Sequence, residues 1–168
     1  MLRISALQGE PTEAVFNLLV EALAQRITIG PGHPDFLAKI QDLPIGLKAM
    51  AATHHLDVSL TLDDLGWHFG NWHDARLTEA TASGLDELGA TELANLFRQA
   101  YGLALKYWVE LGREDWTKWY PGSGLEKEVE PLNERACALL DEKWNGILGI
   151  WVEYARQFPD KVGARNDA

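Results

Sequence analysis

The sequence predicts an all-α fold, a compact single-domain bundle of about six to eight helices, and three observations carry that expectation. Apolar residues recur at three- and four-residue spacing through most of the chain. No run of β-branched residues alternates with polar ones, and the nearest candidate, Asp57 to Thr61, is too short to anchor a sheet. The chain breakers gather in short clusters between the periodic stretches, and no long unit repeats, which excludes a solenoid. A chain of 168 residues suits one core. The domain is set at 1–162, with a flexible polar tail at 163–168.

Pro11 opens the first helix, in which Phe16, Leu19, Val20, Leu23 and Ile27 form an apolar stripe and Glu13 and Glu21 lie off it. The breaker-dense segment from Thr28 to Pro34 is a loop, after which Asp35 caps a short helix through Ile40. Pro44 starts the next helix, with Leu47, Met50 and Ala51 inward, and the pattern predicts fraying from His54 to Val58. Thr61 is then read as a cap before Leu62. From Arg76, the positions Leu77, Ala80, Thr81, Gly84, Leu85 and Leu88 mark one helical face, which Gly89 stops in a left-handed conformation. Thr91 caps a long helix carrying Leu93, Leu96, Phe97, Ala100, Ala104, Tyr107, Trp108 and Leu111 and ending at Gly112. The span from Arg113 to Gly124 reads as irregular. A last helical region starts at Pro131, follows Leu132, Ala136, Leu139, Leu140, Trp144, Ile147, Leu148, Trp151 and Ala155, is bent or divided at Asn145-Gly146, and ends at Pro159.

Charge narrows the function. With 25 acidic against 15 basic residues the formal charge is −10, which argues against a non-specific grip on nucleic acid or an anionic membrane. The expected partner is a protein with a basic surface. A single cysteine, Cys137, excludes an internal disulfide framework and fits a reducing compartment, so a cytoplasmic location is the default expectation. The first residues lack the sustained apolar run of a signal peptide, and no later stretch is long enough to span a bilayer.

Four constellations invite a chemical reading. His54, His55, His68 and His73 crowd near Asp57, Asp63, Asp64 and Asp74, but adjacent histidines point about 100° apart on a helix and a spacing of five does not align ligands. They read as surface or helix-end histidines. Asp63-Asp64 could supply a general acid, yet acids at a helix start serve the helix dipole and the free N–H groups first. Cys137 falls on the apolar stripe with Leu140 and Trp144 and reads as a small core residue. Trp116 and Trp119 either form a binding patch or roof the core, and the second reading is preferred. No nucleophile elbow, phosphate loop or dinucleotide fingerprint is present, and no catalytic residue, cofactor or metal is assigned.

The acids themselves remain. Glu79 and Asp86, seven residues apart on one helix, are separated by about 10.5 Å along its axis, with Glu87 close to the same side. Together with Asp63, Asp64 and Asp74 they form the expected partner-binding set. Trp116, Trp119, Glu126, Glu128 and Glu130 are secondary candidates.

One stretch, from Leu62 to Leu105, reads as a signature. Gly66-Trp67-His68-Phe69-Gly70-Asn71 forms a Gly/aromatic/Asn box, Leu88-Gly89-Ala90 a turn, and Ala94 to Ala100 an Ala-rich helix; Leu140-Asp141-Glu142-Lys143-Trp144 with Tyr154 and Pro159 closes the pattern. This order resembles the helical domain of the acidic bacterial DNA-mimic proteins over about Leu43 to Val162, although Leu65-Gly66-Trp67 replaces the Asn-Gly-Gly-Phe core of that family. The resemblance implies a non-enzymatic protein whose acidic helices occupy the basic DNA-binding surface of a partner such as a transcription regulator. The alternatives are an immunity or adaptor protein acting through an acidic, Trp-rich surface, and a metal-dependent hydrolase using the histidines. The box itself reads as structural, with Trp67, Phe69 and Trp72 plugging the core and Asn71 capping a neighbour.

Overall fold

The computed structural model describes residues 2–166 and is all-α, with no strand among them; an isolated bridge pairs Arg3 with Arg165. The helices are α1 (Ile4–Gly9), α2 (Thr12–Ala24), α3 (Phe36–Ile40), α4 (Ile45–Leu62), α5 (Leu65–Asn71), α6 (Ala75–Glu87), α7 (Thr91–Ala104), α8 (Trp108–Leu111), α9 (Trp116–Trp119), α10 (Gly124–Asp141) and α11 (Ile147–Gln157). Short 3₁₀ turns, Leu105–Tyr107 and Pro159–Val162, join α7 to α8 and follow α11.

Helix α4 is the axle. It packs against α6, α11, α5 and α2, and its residues Leu47, Ala49, Met50, Ala52, Leu56 and Ser59 are buried. The pattern-based expectation that it frays from His54 is corrected: burial of His55 and Leu56 carries the helix to Leu62, because tertiary packing supplies what local propensity lacks. Thr61 accordingly lies inside α4, and the cap belongs to Asp64, whose carboxylate accepts from Trp67 N–H at 2.8 Å. Helix α6 approaches α4 closely at Gly84, where a Cβ would stand 3.0 Å from Ala49 O. A side chain there would push against the Ala49 carbonyl and the Thr53 methyl and force the two helices slightly apart. Gly89 follows with a φ of 76°, the left-handed stop that the sequence predicts.

Three further boundaries differ from the periodicity. The long helix from Thr91 breaks at Leu105–Tyr107, where Tyr107 leaves the helical region with φ −120° and ψ 19° and lets Trp108 turn onto Tyr101 and His73. Helix α10 begins at Gly124, capped by Ser123, rather than at Pro131. The Ser123 hydroxyl accepts from Glu126 N–H at 3.1 Å, and the Glu126 carboxylate accepts from Gly122 N–H at 2.5 Å, a reciprocal cap that outweighs the breaker eight residues after Ser123. Pro131 sits inside the helix on its exposed side. In α2 the buried face is Val15, Leu19 and Ala22, so Phe16 and Leu23 lie at its margin and Val20 is exposed.

The termini meet. Arg165 N–H donates to Leu2 O at 3.1 Å, Ile4 N–H donates to Arg165 O, and Ala164 is buried. Residues 163–165, placed by sequence in the tail, thus close the fold against α1, a helix the sequence reading left out; residues 167 and 168 of that tail lie outside the described residues. At the other division, Asn145 and Gly146 take positive φ values of 52° and 63° and separate α10 from α11. No described helix is long and apolar enough to cross a membrane.

Candidate functional surface

The aromatic box forms the joint between α5, α9 and α10. Phe69 is buried against Phe97 and Tyr101, with ring centroids 5.2 and 5.5 Å apart, and Trp67 meets Trp116 edge-on at 4.6 Å. Gly66 faces Tyr120, and a Cβ there would lie within 2.5 Å of the Tyr120 ring. The Tyr120 hydroxyl donates to Asp64 at 2.8 Å, and Leu65 N–H donates to Asn133 of α10 at 2.9 Å. Burial and the Asp64 carboxylate push the Tyr120 hydroxyl well above the ordinary phenol range. Trp116 is half-buried on this joint and Trp119 leans on Tyr107, so both roof the core. Trp72 is half-buried in a second, smaller apolar cluster with Phe36, Ile40, Ala51, Ala52 and Leu77, and Asn71 is exposed at the end of α5.

The histidines divide into two kinds, which corrects their reading as surface groups. His54 and His73 are exposed, whereas His55 and His68 are buried and stacked. Thr81 Oγ1 lies 2.9 Å from Ala52 O and 2.8 Å from Leu77 O, so its single proton goes to a carbonyl and its lone pair accepts from His55 Nε2–H at 3.2 Å. Ser59 Oγ likewise donates to His55 O and accepts from His68 Nδ1–H at 3.0 Å. His55 Nδ1 is left buried with no hydrogen-bond partner. Burial, helped by His54, lowers the His55 imidazole to about 3. Among the described residues no group of three or more His, Cys, Asp or Glu is placed to hold a metal ion.

The predicted acids do not act as one set. Asp64 is consumed by the α5 cap and Tyr120. Asp74 caps α6, accepting from Arg76 N–H at 2.8 Å, and pairs with the Arg76 guanidinium. Asp86 is paired with Arg98, and Glu87 with Lys161 and the Tyr154 hydroxyl, contacts that hold the Glu87 carboxyl below its ordinary range. Asp63 and Glu79 are exposed and have no ion pair among the described residues. Of the secondary acids, Glu126 serves the α10 cap and Glu128 accepts from Lys106 and Tyr107, which leaves Glu130 exposed and without an ion pair among the described residues.

Sequence reasoning missed the face on which Glu130 stands. With α10 continuous from Gly124, Glu130, Glu134, Cys137 and Asp141 fall within about 60° of arc and span about 16 Å of helix. All four are exposed, so the expectation of a buried Cys137 is corrected. The signal was present as Ser123-Gly-Leu-Glu126, a capping-box spacing that starts the helix before Pro131 and so places Glu130 on the same helix as Glu134 and Asp141.

A family model, the DMP19-like protein, matches residues 41–157, from just after α3 to the end of α11. The chain belongs to the DMP19-like family. No curated protein and no solved structure gives a significant match. The DMP19-like part contains the aromatic joint, the stacked histidines and the acidic face of α10, while α1, α2 and α3 precede it.

Proposed function

We propose that this DMP19-like chain is a non-enzymatic domain that binds a basic surface of another protein, and that a DNA-binding regulator is the partner class it fits. The observation that carries this reading is the disposition of charge. Many basic side chains are already engaged within the fold, in pairs such as Arg98–Asp86, Arg135–Glu92, Lys143–Glu153 and Lys161–Glu87, while acids including Asp63, Glu79, Glu130, Glu134 and Asp141 remain exposed without an ion pair among the described residues. A partner therefore meets most of the −10 charge as uncompensated carboxylate. Carboxylates fixed at helical intervals reproduce part of the charge a duplex presents, about one per 1.7 Å. The α6 pair favoured by sequence contributes half of that, since Glu79 is open and Asp86 is neutralised by Arg98.

The test is affinity capture with the intact chain from its native cells, followed by mass spectrometry of what is retained. The expected result is a basic DNA-binding protein that saturating duplex DNA displaces and that dissociates as salt shortens the Debye length from about 10 Å at 0.1 M to about 3 Å at 1 M. Retention that persists under saturating DNA would overturn the DNA-mimic reading.

A further inference from the structure

Between α2 and α4 lies a pocket of about 280 Å³. Val20, Leu23 and Ala24 form its α2 wall and Ala51 and His54 its α4 wall, and the turn from Ile27 to Pro31 completes it together with Phe36 and Trp151. Phe36, Ala51 and Trp151 are buried, whereas Val20 is 41% exposed and Ala24 and His54 are exposed, so a packed apolar base lies under an open mouth. Eight of the lining residues, from Val20 to Phe36, precede residue 41, which makes the pocket an addition to the DMP19-like part of the chain.

The lining differs in kind from the rest of the surface. The chain is 24% charged, yet none of the eleven residues around this pocket is Asp, Glu, Lys or Arg. By contrast, the clefts of about 460 and 410 Å³ on either side of α6 carry Lys48, Arg76, Glu79 and Arg98 on their walls. An ion entering the α2–α4 pocket would lose water with no fixed counter-charge on its walls, whereas a neutral guest would lose little. The walls are also aromatic. Phe16, Trp151 and His54 follow one another with ring centroids 6.5 and 5.8 Å apart, tilted by 38° and 51°. Trp151 N–H is satisfied by Thr53 Oγ1 at 3.1 Å, but His54 makes no hydrogen bond among the described residues, so its ring nitrogens are the polar groups left for a guest.

We propose that this pocket binds a small neutral aromatic molecule carrying one N–H or O–H donor, of which indole and phenol are the simplest examples. Its volume stands at the foot of the range of about 300–1,000 Å³ for small-molecule sites, which sets the guest at one or two fused rings rather than a large cofactor. The guest ring extends the Phe16–Trp151–His54 series in the tilted arrangement those rings already adopt, and its donor is accepted by an imidazole nitrogen of His54. The pocket shares no residue with the acids of the proposed protein-binding surface, so either can fail without the other.

Indole is titrated into the isotope-labelled full-length chain while the assigned side-chain N–H resonances of its tryptophans are followed by NMR. Trp151 is expected to shift saturably with a Kd on the order of 1 mM or tighter, and Trp119, on the α9 roof, to stay in place. Ala24→Leu, at an exposed position, fills the pocket and should weaken binding about tenfold or more, and His54→Ala about three- to tenfold through loss of the acceptor. Val109→Ala, which trims a side chain 79% exposed on α8, should leave binding within about twofold. Indole-3-acetate, the same ring with a carboxylate, should bind at least about tenfold more weakly. No saturable shift at Trp151, equal affinity in Ala24→Leu, equal binding of indole-3-acetate, or parallel shifts at Trp151 and Trp119 would overturn the site. A shift at Trp151 caused by an acetylated, amidated Ala-Trp-Ala tripeptide and not by indole would also overturn it, and would assign the pocket to a side chain of a protein partner.

Discussion

His55 stacks on His68 with ring centroids 5.1 Å apart and planes inclined by 22°, two imidazoles held neutral inside the bundle by one serine and one threonine hydroxyl. Burial lowers both below the ordinary imidazole value, His55 to about 3 with a further push from His54, and His68 with a further push from His55. The unfolded chain therefore binds more protons than the folded one as pH falls below about 6.5, so stability present above that pH is lost progressively toward pH 3. For His55 alone the loss between pH 6.5 and pH 5 is about 2 kcal/mol. Urea midpoints measured across that range should fall with pH, and the fall should shrink in His55→Gln.

Gly66 is required by the ring of Tyr120 rather than by backbone conformation. Gly66→Ala drives a methyl into a fully buried aromatic side chain and should cost about 1–3 kcal/mol. Gly102→Ala, on the exposed side of α7 with nothing within 4 Å, should instead stabilise by up to about 1 kcal/mol. Denaturant unfolding of the pair separates close packing from helix propensity.

Adjacent acids should behave differently. Asp64→Ala removes the α5 cap and strands the Tyr120 hydroxyl, a loss of about 1–3 kcal/mol. Asp63→Ala, exposed and without an ion pair among the described residues, should change stability by less than about 0.5 kcal/mol. A stability difference of less than about 0.5 kcal/mol between the two variants would contradict the structural role of Asp64.

Cys137 is exposed on the α10 face and lines a cleft between α4 and α10. A colourimetric thiol reagent should titrate one sulfhydryl per native chain at nearly the rate of the denatured protein. A thiol that reacts only after unfolding would contradict the phase assigned to α10.

The elements whose local signals agree were legible in the sequence. The all-α class, the inner face of α6, the Gly89 stop and the division at Asn145-Gly146 rest on side-chain period and turn chemistry, which act over a few residues and need no partner. Pro131 carries a breaker signal, but the Ser123–Glu126 cap, beginning eight residues upstream, has already started the helix. The buried face of α10 is Leu125, Val129 and Ala136, which leaves Cys137 about 100° round the helix from Ala136, on the exposed side with Glu130, Glu134 and Asp141.

What the sequence by itself determined is the helical class, the excess of carboxylate and the aromatic joint around Gly66. Only the tertiary structure decided which carboxylates remain open. Asp64, Asp74, Asp86 and Glu87 look equivalent to Asp63 and Glu79 in sequence, yet their partners Tyr120, Arg98 and Lys161 arrive from elements 12 to 74 residues away, and Asp74 is engaged by the N–H groups of the helix it caps. The same holds for His55 and His68, whose burial depends on α4, α5, α6 and α7 meeting around them. Charge is a property of the residue, whereas exposure and pairing belong to contacts between distant segments, and no local pattern encodes those.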